Sequence, residues 1–343
     1  MLTSQKIKEI GLAYGADVVG IASMDRFEGA PPQLDPRKWM PRAKSMIVFG
    51  YRIFRGALRG IEEGTNFGTY STMCYGYINQ RLTSWTARQV ARVLEDEGYE
   101  AMPVGFQVFG GAINTNNGKS WKNNETGFSV PVAPGLPRPD VHFHLRIAGY
   151  LAGLGEIGYS KVFLSTKFGP RIRLAVMLTD LELEPDPIVP PGTLCNKCKA
   201  CARACPGQTI SLTKTVKVKL GGYDVEWGEI NEPNCATAFV GSEPCPEGEY
   251  GDYFLDGSNR MGKYRPSPIS PFYHAPERQY MNGEAVCGAQ GCIRACMMSL
   301  EARGVLENKF DTKFRRRPKW EVDWAPIREK EKIEEKQESN PRE

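Results

Sequence analysis

No run of eighteen or more apolar residues occurs in the 343-residue chain, which excludes a helix that spans a bilayer. The opening MLTSQKIKEIGLAYGADVVG lacks the apolar core of a secretory signal and starts an amphipathic helix instead. The only run of arginines, Arg315–Arg317, lies near the other end, where it cannot act as a twin-arginine export signal. Net charge is only +4, too mild an excess to argue for nucleic acid or a membrane surface as partner. These absences favour a cytoplasmic protein with reduced thiols, in which the ten cysteines serve metals and not disulfides. What is present is ordinary for a globule, with 41% hydrophobic and 24% charged residues. That supports a sizeable core in one large or two modest domains.

The strongest signal is Cys195–Pro206, CNKCKACARACP, which reads C-x2-C-x2-C-x3-C-P. This is the ligand run of bacterial ferredoxins, where three closely spaced cysteines wrap one iron–sulfur cubane and the fourth ligates a second one. A zinc site would need two C-x2-C pairs, and here the last cysteine is followed directly by proline. The run therefore predicts further cysteines elsewhere, and Cys287, Cys292 and Cys296 supply them.

Along the chain, residues 4–14 predict a helix capped by Ser4 and stopped at Gly15. Asp17–Ala22, Ser45–Tyr51 and Arg173–Thr179 are continuous apolar runs and predict buried strands. A long helix is expected from Tyr77 to Glu97, and another strand near Val104. Helix–strand alternation argues an α/β layer. Residues 105–140, rich in Gly, Asn, Pro and Thr, are expected as loops that could line a site. Glu184–Gly192 is a proline-rich linker and the best domain boundary. It gives a first domain over 1–185, a cysteine domain over 190–305 with an insertion between its halves, and an arm, partly disordered, over 306–343.

Gly153-Leu-Gly155-Glu-Ile-Gly158 matches the dinucleotide fingerprint, and Asp180 lies at a suitable distance. The fingerprint must follow a strand and open a helix. Here Leu145–Ala152 predicts helix before it, and a strand is expected after it. A dinucleotide site is not expected. The glycines can still bring backbone close to some other large cofactor, or simply make a tight turn.

Taken together, AGLGEIG (Ala152–Gly158), FGPRIRLAVMLTDLEL (Phe168–Leu183) and the cysteine run resemble the corrinoid iron–sulfur reductases, meaning reductive dehalogenases and the related epoxyqueuosine reductase. AYGADVVGIASMD (Ala13–Asp25), PRAKSMIVFGY (Pro41–Tyr51) and Tyr75–Pro103 extend the likeness, which covers about residues 5–305. The GEIG and GPRIR details look more like the dehalogenase branch. The epoxyqueuosine branch is expected to carry a tryptophan where Glu156 stands and a CPWN after its last cluster cysteine, and neither is present.

The resemblance implies an α+β or α/β fold: a nitroreductase-like domain holding cobalamin beside a ferredoxin-like domain with two [4Fe–4S] clusters. Electrons from a low-potential donor, a ferredoxin or flavodoxin, would pass through the clusters to cobalt, which reduces a small organic substrate. Thiolate-bound cubanes reach potentials low enough for this, within roughly −700 to +450 mV. The resemblance assigns Cys195, Cys198, Cys201 and Cys296 to one cluster and Cys205, Cys235, Cys287 and Cys292 to the other. The spacing C-x4-C-x3-C with Met297 after it departs from the pattern, and Cys245 could replace Cys235 or Cys287. Cys74 is expected as a plain buried thiol.

For the corrin, Gly153, Gly155 and Gly158 are the expected backbone contacts, with His142 and His144 lining the pocket and not ligating cobalt. Tyr77 is a candidate proton donor. Arg146 is a candidate anion holder. Asp140 stands near the position of an acid in the epoxyqueuosine branch, offset by one residue. Two other readings remain: an epoxyqueuosine reductase-type tRNA-modifying enzyme, and an electron-transfer or corrinoid-reducing protein without a substrate pocket. Clusters without a corrinoid spectrum would single out the last.

Overall fold

The computed structural model describes residues 2–63, 68–105, 144–232, 235, 287–288 and 291–314. Its centre is a four-stranded sheet of β1 (Val18–Ser23), β2 (Ser45–Arg52), β3 (Ala101–Gly105) and β6 (Ile172–Thr179), in the order β1-β2-β6-β3. Every pairing in it is antiparallel. The fold is thus mixed α/β as the alternation predicts, but among the described residues the sheet has no parallel neighbours. Helix–strand alternation in sequence does not by itself reveal strand direction.

The runs expected as buried strands are strands because both faces of the sheet are covered. In β2, Ile47 and Phe49 face one way with Ile21, Ala175 and Met177. Met46 and Val48 face the other with Val176 and Leu178. The first face packs on α1 (Ser4–Ala13) through Ile7 and on α4 (Thr83–Asp96) through Val90 and Leu94. The second packs on α5 (Leu145–Leu151), whose Ala148 and Leu151 are buried there. A side chain at every second position serves each face, so no position in β2 before Arg52 is exposed.

Two helical details depart from expectation. Thr3, not Ser4, caps α1, accepting from Lys6 N at 3.2 Å. Ser4 Oγ instead donates to the Glu184 carbonyl at 2.9 Å. The long helix begins before Tyr77. Following α2 (Arg55–Glu63), α3 (Gly68–Ser71) runs into two π-helical turns, Thr72–Gly76 and Ile78–Leu82, and these continue into α4. Gly98, at φ +86°, ends it as expected.

Beyond the sheet, β4 (Gly155–Ile157) and β5 (Phe163–Ser165) form a short hairpin. The insertion in the cysteine region contains a second one, β7 (Ile210–Leu220) and β8 (Tyr223–Ile230). Gly221 and Gly222, at φ +55° and +87°, make its two-residue turn. Its Val225 and Trp227 are buried against α5 and the sheet. The proline-rich linker is laced to the first strand: Asp186 accepts from Ile21 N at 2.9 Å and pairs with Lys8, while Arg26 donates to the Asp186 carbonyl at 2.7 Å. The cysteine region adds a single-turn helix, α6 (Ala200–Arg203), and a three-turn helix, α7 (Cys292–Arg303). Among the described residues no helix is long and apolar enough to cross a membrane.

Candidate metal centres and the space beside them

The loop Cys195–Cys201 is bent by left-handed backbone at two lysines, Lys197 (φ +55°) and Lys199 (φ +57°). That conformation costs a non-glycine residue about 1–2 kcal/mol, and here it curls three cysteines around one space. A small cavity is lined by Cys195, Cys198, Cys201 and, from α7, Cys296. Burial raises the Cys296 thiol well above its ordinary value, and the neighbouring Cys201, Cys195 and Cys198 push it the same way.

The remaining four assigned cysteines also come together. Burial and then the proximity of Cys292, Cys235 and Cys205 raise Cys287 well above the thiol range. Burial, Cys205 and Cys235 push Cys292 up to about 12. Cys292 and Cys296 stand one turn apart on α7, about 6 Å along its axis, and each belongs to a different group. Cys201 lies within the single turn of α6 and Cys205 two residues past its end. The two groups are therefore neighbours.

Several donors point at these sulfurs. Tyr159 N donates to Cys195 Sγ at 3.2 Å, and Thr209 N to Cys205 Sγ at 3.4 Å. The Ser299 hydroxyl lies 3.6 Å from Cys198 Sγ. At Cys198 burial opposes ionisation, but hydrogen bonds from Ala200 N and Ser299 and the charges of Arg303 and Arg203 outweigh it and lower its pKa. The set fits a thiolate-bound iron–sulfur core. Buried thiols that resist ionisation together are stabilised as thiolates by a cationic centre, which deprotonates its ligands outright. A cubane gives each thiolate its own iron.

Beside the Cys205 group lies a polar and aromatic wall. Arg173, on β6, donates from Nε to Asn79 Oδ1 at 3.0 Å and lies 4.2 Å from the Tyr75 ring centroid. Burial keeps the Tyr70 hydroxyl strongly protonated, against the pull of Arg173, and Cys287 and Cys292 are close enough to reinforce it. Burial lowers the Arg146 pKa, with Glu232, Arg173, Cys235 and Cys292 in its field, yet its side chain is open to solvent. Tyr77 is 46% exposed and is the one residue between the two π-helical turns, a distortion frequent at functional sites. The sequence singles out Tyr77 and Arg146, reads Arg173 as structural or phosphate-facing, and gives no role to Tyr70 or Tyr75. The repeated tyrosines of that helix are the only signal for the last two.

The glycine run follows α5 and opens β4, the reverse of a dinucleotide site. Its glycines are explained by the chain's own packing. A Cβ on Gly153 (φ +72°) would lie 2.4 Å from the Pro187 carbonyl oxygen, and one on Gly155 1.9 Å from that of Leu164. A Cβ on Gly158 would meet Leu164 Cδ1 at 3.0 Å. His144 is the N-cap of α5, its Nδ1 accepting from Ile147 N at 3.4 Å. Cys74 is fully buried. Asp140, His142 and Cys245 lie outside the described residues.

His144 carries a testable pH dependence. Burial, with Arg146 and Lys161 nearby, lowers its pKa from 6.5 to about 4. The folded state thus takes up its proton later than the unfolded chain. The resulting stability is complete above pH 6.5 and is lost as pH falls toward 4. His144→Asn keeps a capping acceptor and is expected to lose less stability than the parent chain across that window. Thermal melts at pH 7.5 and 4.5 check this.

No protein-family model matches the chain. Over 210 residues it is 34% identical to a tetrachloroethene reductive dehalogenase of Desulfitobacterium hafniense, covering 60% of this chain and 30% of that protein. A protein of the same name from strain Y51 is 34% identical over 238 residues, covering 67% and 32%. The solved structure of a catabolic reductive dehalogenase is 20% identical at a TM-score of 0.43, covering 71% of this chain and 30% of that one, a likeness too loose to carry an argument. The chain spans about a third of the length of the curated relatives it matches. Across about two-thirds of its own length, then, the chain is related in sequence to the reductive dehalogenases.

Proposed function

We propose that this chain is a corrinoid-dependent iron–sulfur reductase that passes electrons through two [4Fe–4S] clusters to a bound cobalamin and so reduces a small organic substrate. The observation that supports the proposal is that Cys195, Cys198, Cys201 and Cys296 line one cavity while Cys287 and Cys292 lie within the field of Cys205 and Cys235, an arrangement compatible with four thiolates for each of two cubanes. The curated relatives are named for reductive dehalogenation of tetrachloroethene, and a halogenated organic compound is the substrate class they suggest.

The roles of the residues follow from their places. Cys198 is the exposed thiol among the eight, so a low-potential ferredoxin or flavodoxin would deliver electrons at the Cys195 group. The Cys205 group, with no exposed thiol, lies beside Arg146 and the tyrosine-bearing helix, where the acceptor would sit. A corrinoid held there would supply a cobalt centre that transfers electrons to the substrate. His144 stands at the mouth of α5, next to that wall. Arg146 would hold an anionic group of the substrate or the departing halide, since a guanidinium keeps its charge in a partly desolvated site. Tyr77 would give up its phenolic proton to the carbon that loses the leaving group.

Anaerobic turnover of a halogenated aromatic compound with a reduced donor, followed by halide release, tests the reading. Halide release dependent on corrinoid supports it, and clusters with no corrinoid uptake contradict it. Tyr77→Phe is expected to cut turnover about 100-fold or more, the usual worth of a positioned proton donor, with the corrin spectrum unchanged. Unaltered turnover would reduce Tyr77 to packing.

A further inference from the structure

Glu156 is 2% exposed and sits in β4, with no place in the chemistry described so far. Its carboxylate accepts three backbone N–H groups from the entry to the cysteine loop. Gly192 N donates to Oε2 at 2.6 Å, and Leu194 N and Cys195 N both donate to Oε1. Three residues further on, Tyr159 N donates to the Cys195 sulfur itself. One short stretch, Glu156–Tyr159, therefore grips Cys195 at both its backbone nitrogen and its thiol.

We infer that Glu156 is a positioning residue for the iron–sulfur cluster held by Cys195, Cys198, Cys201 and Cys296, fixing the first ligand and holding that cluster's potential down. This rests on the cluster reading above. Three amide donors converge on its two carboxylate oxygens. An anion beside a cluster disfavours adding an electron, and net charge and hydrogen bonding are what tune such potentials. A glutamine in its place would turn an amide N–H₂ toward three donors, leaving at least one N–H unmatched in a buried site.

The test uses the full chain, anaerobically reconstituted with iron, sulfide and cobalamin, and reads both cluster couples by redox titration with electron paramagnetic resonance. Cys198→Ser marks which couple belongs to the Cys195 group. In Glu156→Gln that couple is expected to move to a higher potential while the other stays in place. Both couples unmoved, or both moved equally, would overturn the assignment. If Glu156→Gln fails to fold, Glu156→Asp decides: its charge is kept but its reach is shortened. A chelator is then expected to strip iron from the Cys195 group faster than from the Cys205 group, and equal loss overturns the inference. Failure of the cluster reading is distinguishable, because the unaltered chain would then take up far fewer than about eight irons.

Discussion

Cys296→Ala is expected to remove about four irons and to leave about four, and Cys292→Ala to do the converse. The two cysteines are only one helical turn apart on α7, so a loss of both clusters from either change would mean that the helix is simply disrupted. Selective loss would mean that the two thiols serve different centres. The surroundings favour selectivity: Cys296 lines the cavity with Cys195, Cys198 and Cys201, whereas the nearest thiols to Cys292 are Cys205 and Cys235, with Cys201 beyond them. Each variant is expected to bring turnover to background, since either break interrupts the path from donor to acceptor. The cluster that remains should keep its own spectrum in each case. Cys235→Ala distinguishes the remaining alternative, because retention of all the iron would transfer its place to Cys245.

Arg55→Ala is expected to produce the largest loss of stability from a single side chain. Arg55 lies on α2, its side chain 5% exposed, and forks onto Glu301 of α7 with two hydrogen bonds of 2.9 Å. It donates as well to the Thr312 carbonyl at 2.8 Å and lies 4.4 Å from the Phe310 ring centroid. Removing it leaves Glu301 largely buried without its cation, which costs about 3–5 kcal/mol. For a domain of this size that corresponds to a fall in melting temperature on the order of 10 °C. The effect is also functional, because Glu62 of α2 grips Arg294 at the other end of α7 in the same bidentate way. These two pairs hold the helix that carries Cys292 and Cys296. Arg55→Ala should therefore also speed the loss of iron to a chelator. Arg55→Lys restores the charge but not the fork and is expected to recover only part of the stability.

The sheet was legible in the sequence because β1, β2 and β6 are buried on both faces, and such strands are written as unbroken apolar runs. Direction was not legible, since an antiparallel and a parallel partner call for the same apolar side chains. The β7–β8 hairpin did leave a signal, the alternation of KTVKVKL around Gly221-Gly222, but it lies between cysteines and was taken for an insertion. The first cysteine loop was legible from its spacing alone. The dual role of α7 was not legible from spacing, because C-x4-C-x3-C carries the helical period; the resemblance alone assigned Cys292 and Cys296 to different clusters. Glu156 was noticed only as a departure from a relative's tryptophan, since a lone acid in GEIG does not announce the three amides it accepts. The glycines around it were read as room for a cofactor, whereas the Pro187 and Leu164 carbonyls take up the space beside Gly153 and Gly155.

The account stands on two adjacent cubanes feeding a corrinoid, and the metal content of the anaerobically reconstituted chain tests it most directly. About eight irons and about one cobalt per chain are expected. Fewer than about seven irons, or a cobalt content near zero beside intact clusters, would contradict it.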